Sequence, residues 1–389
     1  MPKSESGAHL IMSTTDLAWS DDTAFGLYFL RWVVQETSFR VTTMTRKGGP
    51  MAAAYGELGP VVDLNQLNEW RLPRALALVG LRRLGGMLKN HRLRAWLRHA
   101  DPKLIVANDA VAARLALFVD DPSVRVIARL DGLAAVGPTA LPPGDRADVV
   151  ARTDVLVVSS TAARARAAKL LELPEERIVI SSFPVAPPRP GDAAATRAAF
   201  GIDPAAVLVA VLGSPHPWDD PDRFVAIAWN LVHRWPEVPW TFVWFTDQEQ
   251  RSLWPLHHDL ANAGLENRVV VTSTLLPLHV LQAADALALP GRTVAVPMLW
   301  HEAIAASCPV VTFDHGELGG FARAGAGTAV PFPDLDAFAD AIAEVVLDPD
   351  KREAAVRRAE TTAARGADQI GELRSLIIAL AGPTEAGPA

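Results

Sequence analysis

The 389-residue chain contains one cysteine, Cys308, and only two tyrosines beside eleven tryptophans. A single cysteine excludes an intrachain disulfide, so we expect the reducing environment of the cytoplasm. Cys308 precedes Pro309 at the start of an apolar run. We therefore interpret it as a small core residue rather than a nucleophile.

Basic residues are fewer than acidic ones. The chain has 37 Lys and Arg residues and 44 Asp and Glu residues, which gives a formal net charge of −7. General nucleic-acid-binding proteins are normally basic, so we expect no nucleic-acid partner. The first twelve residues lack the apolar core of a secretory signal, and no apolar run is long enough to span a bilayer. The length suits two domains, each with its own core.

The sequence lacks several motifs that are typical of catalytic centres. There is no P-loop, no Gly-x-Ser-x-Gly elbow and no cysteine pair. His257 and His258 are adjacent on an expected helix and point apart, which is poor metal geometry. Asp219, Asp220 and Asp222 could hold a divalent ion, but acids also suit a helix amino terminus, and we favour that interpretation. We expect no metal site and no cofactor.

Strand-like runs alternate with helical runs in two series, which predicts an α/β protein with two parallel sheets. A proline-rich stretch at residues 183–192 separates the series and is typical of a semi-rigid linker. We expect domains at residues 1–188 and 189–350, followed by a helical tail at 351–389. The expected strands cover residues 9–14, 40–45, 104–106, 124–128, 155–159, 178–181, 207–212, 240–245, 268–272, 286–289, 310–313 and 328–331.

A basic block occupies residues 71–99, where eight Lys and Arg residues occur with no acid, and leucines interleave at helical spacing. We favour a solvated helix pair that covers the first sheet. The second interpretation is a peripheral membrane contact, in which residues 71–99 dock to anionic lipid or to an acidic acceptor.

Residues 285–334 are the most informative stretch. An apolar strand at 286–290 is followed by a helix that carries Glu302, and a second strand at 309–313 opens onto a loop with Gly319 and Gly320. In an open α/β sheet, ligands bind at the carboxyl ends of the strands. We expect the ligand here.

This stretch resembles the donor-sugar end of the family 4 (group 1) retaining glycosyltransferases. The resemblance extends over residues 11–346, and its motifs are more specific in the second half. It implies the GT-B architecture, in which two Rossmann-like domains face each other across a cleft. The residues that carry the resemblance are Leu289-Pro290-Gly291-Arg292, Pro297, Glu302-Ala303, Pro309-Val310-Val311 and Gly319-Gly320.

The resemblance implies transfer of a sugar from a nucleotide-sugar donor, held mainly by the second domain, to the hydroxyl of an unidentified acceptor held by the first. It implies that Glu302 accepts hydrogen bonds from the ribose hydroxyls, a task that suits an acceptor-only carboxylate. It further implies that the amides of Gly319 and Gly320 approach donor oxygens. The remaining expected donor-site residues are Gly213, Ser214, Ser273, Thr274, Arg292, Glu317 and Leu318, and those of the first-domain cleft are Asp22, Thr23 and Asp131. No catalytic residue is assigned.

Four positions depart from the family pattern. Asp219 stands where a lysine clamps the diphosphate, Val294 replaces an acidic residue, Thr23 replaces a loop glycine, and Leu130 replaces a histidine. Carboxylates repel a diphosphate, although Arg129 or Arg323 could supply a cation instead. The alternative function is therefore a catalytically degenerate GT-B protein that serves as a partner or scaffold for another glycosyltransferase.

Overall fold

The computed structural model describes residues 7–18, 20–67, 82–130, 141, 143–180, 193–212, 220–245, 253–272, 277–291 and 298–381. The chain divides into two compact units. Unit 1 comprises Met1–Phe183 together with Gln369–Ala389, and unit 2 comprises Pro184–Asp368.

Unit 1 is built on a seven-stranded sheet in which every pair of neighbouring strands is parallel. The strand order is β3-β2-β1-β4-β5-β6-β7, so the order reverses between β1 and β4. The strands are β1 (His9–Thr14), β2 (Arg40–Thr45), β3 (Val61–Asp63), β4 (Leu104–Ala107), β5 (Arg125–Arg129), β6 (Val155–Val158) and β7 (Ile178–Ile180).

Six of these strands match expected runs to within one or two residues, and β3 was missed. β3 contains only two apolar residues, Val61 and Val62, before Asp63, and it joins the sheet through its pairing with β2. The described helices of this part of the chain are α1 (Asp21–Glu36), α2 (Ala52–Gly56), α3 (Leu64–Leu67), α4 (Arg82–Ala100), α5 (Ala110–Ala113), α6 (Pro143–Arg152) and α7 (Thr161–Leu171).

The basic block is partly explained by α4. Leu97 of this helix is buried in a cluster with Ile11, Ile105 and Val126 of the sheet, and Arg94 forms an ion pair with Asp120. This packing agrees with the interpretation of a helix that covers the first sheet. The rest of the block, residues 71–81, lies outside the described residues. Among the described helices, none combines the length and apolar content required to cross a membrane.

Unit 2 contains a six-stranded sheet, again with parallel neighbours, in the order β10-β9-β8-β11-β12-β13. The order reverses between β8 and β11. All six strands lie where the sequence predicted them, with small differences at the ends. They are β8 (Val207–Leu212), β9 (Trp240–Phe245), β10 (Val269–Thr272), β11 (Ala286–Leu289), β12 (Val310–Phe313) and β13 (Thr328–Val330).

Helices cover both faces of this sheet. The side chains of each strand alternate between the two faces and pack into two separate core clusters. Val209 and Val211 belong to one core cluster, whereas Leu208 and Ala210 belong to another. The described helices are α8 (Ala193–Ala199), α9 (Pro221–Arg234), α10 (Trp254–Asn262), α11 (Pro277–Ala283), α12 (Met298–Ala305), α13 (Gly316–Phe321), α14 (Leu335–Leu347) and α15 (Pro349–Ala381). The GT-B expectation of two Rossmann-like halves is confirmed at the level of fold.

The expected helical tail at 351–389 lies in one helix, α15, as far as Ala381. Pro349 begins α15, and proline suits the first turn of a helix because its missing N–H has no partner there. From Gln369 onward α15 belongs to unit 1, where Arg374 forms an ion pair with Glu36 at 3.0 Å.

The interpretation of Cys308 as a core residue is confirmed. Trp240 and Trp244 are almost completely buried on β9. Cys308 is also buried, and burial raises the pKa of its thiol to about 12, so the nucleophilic thiolate is scarce at neutral pH.

A polar network anchors the start of β11. Asp285 accepts hydrogen bonds from the Leu208 amide at 2.9 Å, Arg197 at 3.0 Å and Arg352 at 2.9 Å. It therefore ties together α8, β8 and α15 within unit 2.

Candidate functional site

The β11–α12–β12 segment forms the centre of the unit 2 sheet beside the reversal in strand order. β11 pairs with both β8 and β12 in parallel register, and all of its residues are buried. Six of the eight residues of α12 are buried too, including Glu302, which is 3% exposed. Glu302 is therefore not an exposed glutamate of the helix surface. A carboxylate placed in such a helix is costly unless polar groups surround it.

The second strand of this segment leads directly into α13, where Glu317 and Leu318 are buried. A Cβ added at Gly319 would lie 2.7 Å from both the backbone carbon and the Oδ1 atom of Asp314, so no larger residue fits. Position 319 therefore requires glycine for a steric reason, because α13 closely approaches the end of β12.

The Gly319 amide, which the resemblance implies approaches donor oxygens, is hydrogen-bonded within α13 in this structure. Its N–H donates to the carbonyl of His315 at 2.9 Å within the helix. Gly320 follows in the same helix, where an amide ordinarily bonds to the carbonyl four residues earlier.

Two arginines near this end of the sheet are held by carboxylates. Arg323 forms an ion pair with Asp314 and lies in the π-helical turn Ala322–Ala326 that follows α13. Arg223, on α9, pairs with Asp220 at 3.2 Å, and its guanidinium lies 4.6 Å from the centre of the Phe332 ring. Both cations are therefore positioned by neighbouring carboxylates, although the Arg323 side chain is 57% exposed and that of Arg223 is 18% exposed.

The aspartate cluster lies at the start of a helix, as the sequence predicted, but the contact made by the Asp220 side chain is not a helix cap. Asp220 is the N-cap residue of α9, and its side chain makes no capping hydrogen bond. It is 1% exposed and pairs with Arg223 instead. In the described part of the chain, no three His, Cys, Asp or Glu side chains cluster in a way that could hold a metal ion.

Some predicted site residues cannot be placed. Gly213, Ser214, Ser273, Thr274, Arg292 and Asp131 lie outside the described residues, as do Asp219 and Val294.

In unit 1, a polar cluster lies at the carboxyl ends of β1, β4 and β5, beside the reversal in strand order. Asp22, in the first turn of α1, forms an ion pair with Arg129 at the end of β5. The Arg129 side chain is 7% exposed, and its guanidinium lies 4.1 Å from the centre of the Phe25 ring. Asn108, which follows β4, donates a hydrogen bond to the backbone carbonyl of Asp22. Three strand ends thus meet at the predicted position of the first-domain cleft residues.

Thr23 has a structural role in this cluster. Its hydroxyl accepts a hydrogen bond from the Ser20 amide at 2.9 Å, and the Ser20 hydroxyl accepts one from the Thr23 amide at 3.2 Å. This reciprocal capping box starts α1. The Thr23 hydroxyl also donates to the Ala18 carbonyl at 2.5 Å. Leu130, which replaces the family histidine, is 3% exposed and belongs to the core.

Sequence reasoning did not find three members of this cluster. Asn108 and Asp109 directly follow an apolar strand, which is a signal that could have found them. Asp109 accepts hydrogen bonds from the Thr15 amide and hydroxyl, both at 2.7 Å. Tyr55 left no signal; it is fully buried and donates to the Thr23 carbonyl at 2.7 Å. Burial raises the pKa of Tyr55 well above its ordinary value, so its hydroxyl remains protonated as a donor.

Comparison with known proteins supports the resemblance noted in the sequence. Residues 250–362 match the model of the family described as glycosyl transferases group 1. The D-inositol 3-phosphate glycosyltransferase of Saccharomonospora viridis is 30% identical over 263 residues, which cover 60% of this chain and 59% of that protein. The protein of the same name from Nocardia farcinica is 28% identical over 243 residues, which cover 56% and 53%. The matched parts thus span little more than half the length of these relatives.

Several solved structures are similar in fold over nearly the whole chain. Anabaena HepE in complex with UDP superposes with a TM-score of 0.70 at 15% identity and covers 95% of this chain and 99% of its own. WaaG, a glycosyltransferase involved in lipopolysaccharide biosynthesis, gives a TM-score of 0.64 at 15% identity over 91% and 95%. At this identity the superpositions establish the fold alone. The GT-B fold and the resemblance to group 1 glycosyltransferases are both confirmed.

Proposed function

We propose that this protein is a glycosyltransferase that moves a sugar from a nucleotide-sugar donor to an acceptor hydroxyl with retention of configuration. The observation that carries the proposal is the burial of Glu302 within the segment that matches the group 1 family model. A glutamate of a sheet-covering helix is normally exposed, because removing a carboxylate from water costs free energy. We infer from its place in this segment that the carboxylate serves ligand binding.

In this proposal Glu302 accepts hydrogen bonds from the two ribose hydroxyls of the nucleotide. Gly319 allows α13 to approach β12 closely, which brings Glu317 and Leu318 to the carboxyl end of that strand. Unit 1 would present the acceptor at the cluster of Asp22, Asn108 and Arg129. Catalysis would depend on positioning and on electrostatic stabilisation of the departing diphosphate. No metal cofactor is part of the proposal.

The names of similar proteins suggest where to begin the search for substrates. HepE was solved with UDP and with UDP-glucose, so uridine nucleotides are the first donors to test. The relatives from Saccharomonospora and Nocardia carry the name D-inositol 3-phosphate glycosyltransferase, which makes that compound the first acceptor to test.

The test is calorimetric titration of the full chain with UDP, GDP and dTDP, followed by the same titration of Glu302→Gln. Glutamine keeps the shape but removes the charge, and a hydrogen bond to a charged group contributes roughly 1.5–3 kcal/mol. We expect the dissociation constant to rise about 10–100-fold. Glu344→Gln is the control, because Glu344 is exposed in the same unit and pairs only with Lys351 among the described charges.

Absence of binding by all three nucleoside diphosphates contradicts the proposal, and so does an unchanged affinity in a folded Glu302→Gln protein. Thermal unfolding without nucleotide shows whether that variant is folded. Activity is then measured as release of the diphosphate from UDP-, GDP- and dTDP-sugars with the acceptor present.

A second function, a catalytically degenerate partner of another glycosyltransferase, is favoured by two observations in unit 1. Thr23 is built into the capping box of α1, and Leu130 is a core residue. Neither position offers the group that the family pattern has there. Nucleotide binding without turnover, together with copurification with a motif-complete glycosyltransferase, would select this function.

A further inference from the structure

A groove of about 560 Å³ lies on one helical face of unit 2, and none of the residues that line it is among those predicted to bind the donor. It is bounded by α9, by the amino terminus of α14 and by Ala263, the residue that follows α10. Binding sites for small ligands typically have volumes of roughly 300–1,000 Å³. The groove is therefore large enough for a ligand that nothing described so far assigns to it.

An exposed tryptophan dominates the apolar part of the groove. Trp229 of α9 is 44% exposed, although a large aromatic side chain is usually buried. Its indole stacks on the imidazole of His233 with ring centres 4.0 Å apart, and the His233 Nδ1 atom lies 2.8 Å from the Trp229 carbonyl oxygen. The stack covers one face of the indole and restrains its orientation. The groove is thus lined by a pre-positioned aromatic surface.

The polar lining carries negative charge and mixed hydrogen-bonding capacity. Three exposed carboxylates, those of Asp222, Asp334 and Asp336, line the groove together with Asn230. Within the described part of the chain, none of the three forms an ion pair with a basic side chain. The Asn230 amide donates to the Asp336 Oδ1 atom at 2.8 Å, which leaves one amide hydrogen and the amide oxygen for a ligand.

These groups select among ligand classes. Three carboxylates without a lining cation repel phosphates and nucleotides. A lysine ammonium would match the carboxylates, but it has no acceptor for the remaining Asn230 hydrogen. A saccharide hydroxyl both donates and accepts, and vicinal hydroxyls can share one carboxylate in charge-assisted hydrogen bonds. The C–H groups on the face of a pyranose ring supply an apolar surface that suits an indole.

We propose that this groove is a saccharide-binding subsite, in which Trp229 packs against a sugar ring and Asp222, Asn230, Asp334 and Asp336 bind its hydroxyls. The ligand is an uncharged glycan with free vicinal hydroxyls. The subsite goes beyond the proposed sugar transfer, since its residues differ from those assigned to the donor and to the acceptor.

The chain provides a matched control on the neighbouring helix. Trp254 of α10 is 67% exposed and stacks on His258 four residues later, with ring centres 5.2 Å apart. It has the same local arrangement as Trp229 but does not line the groove. Trp229→Ala and Trp254→Ala therefore remove equivalent exposed indoles, and only the first changes the proposed subsite.

The experiment is a titration of the full chain with maltotriose, α-linked mannotriose and chitotriose, in which binding is measured by calorimetry and by saturation-transfer NMR. We expect at least one trisaccharide to bind, with an affinity reduced about tenfold or more by Trp229→Ala and changed less than about twofold by Trp254→Ala. Asp336→Asn should also weaken binding several-fold. Lack of binding by all three at about 10 mM overturns the proposal, as does equal weakening by the two tryptophan variants or displacement by oligolysine.

A parallel titration with UDP separates this proposal from the proposed function. Trp229→Ala should leave UDP affinity unchanged. A protein that binds a trisaccharide through Trp229 but binds no nucleoside diphosphate supports the subsite and refutes the glycosyltransferase. The reverse result supports the transferase and refutes the subsite.

Discussion

Replacing Gly26 by alanine tests how the unit 1 cluster is assembled. Gly26 lies in the second turn of α1, four residues after Asp22. Alanine favours a helix over glycine by about 0.8–1.0 kcal/mol, so helix propensity alone predicts a stabilised protein. The contacts predict the opposite, because a Cβ at this position would lie 2.5 Å from the Tyr55 hydroxyl and 2.8 Å from the Asn108 Nδ2 atom.

The magnitude follows from the two groups that must move. Shifting Tyr55 lengthens its buried hydrogen bond to the Thr23 carbonyl, and an unsatisfied buried donor costs about 1–3 kcal/mol. Forcing an extra methyl group into a packed core costs about 1–3 kcal/mol as well. After subtracting the helix-propensity gain, we expect Gly26→Ala to lower the free energy of unfolding by about 3 kcal/mol. For a unit of this size that corresponds to a fall in the melting temperature of roughly 6–12 °C.

The assay is thermal and urea unfolding of the full chain, monitored by circular dichroism and tryptophan fluorescence. Gly144→Ala is the matched control, because Gly144 lies in the first turn of α6 and an added Cβ meets no atom within 4 Å. That variant should be neutral or more stable by up to about 1 kcal/mol. If Gly26→Ala proves as stable as the starting protein, the packing of Tyr55 and Asn108 against α1 is not as described and the reasoning fails.

Two further predictions concern stability. Asp285→Ala should lower the free energy of unfolding by about 2–4 kcal/mol, since it removes the shared acceptor of two arginines and a backbone amide. Urea unfolding measures this change. The control is Asp340→Ala, which breaks an exposed pair with Arg234 and should lower the free energy of unfolding by at most about 1 kcal/mol. His9 is buried, and burial lowers the pKa of its imidazole below the ordinary value of 6.5. The unfolded chain therefore binds a proton more readily, so stability is undiminished above about pH 6.5 and falls as the pH drops toward the folded-state pKa. Unfolding measured from about pH 7.5 to 5 should show a smaller acid loss in His9→Gln, and equal losses in both proteins would contradict the assignment.

Much of the fold could be predicted from local patterns. The strands β8 and β11 are continuous apolar runs, and β9 and β12 are apolar except for one threonine each, as expected for strands buried on both faces of a parallel sheet. A run of this kind is visible in any short window of sequence. The three-residue strand β3 has no such pattern, and its existence depends on β2 beside it.

The candidate donor site was predicted in part. Spacing placed Glu302 on a helix between two strands and Gly319 after the second strand, and the structure contains both features. Spacing did not reveal that the Gly319 amide is used inside α13, because hydrogen bonding depends on where the helix begins. It also did not reveal that Asp220 pairs with Arg223 instead of capping α9.

The order of apolar and polar residues along this chain was enough to determine two parallel α/β sheets and the segment around residue 302, since each depends on neighbours within a few tens of residues. The tertiary structure decided which distant side chains meet. Asp22 and Arg129 are separated by 107 positions, and Asn230 and Asp336 by 106. Strand order and helix packing bring these pairs together, and neither is encoded in any local window. For that reason the polar cluster of unit 1 and the Trp229 groove of unit 2 became visible only in three dimensions.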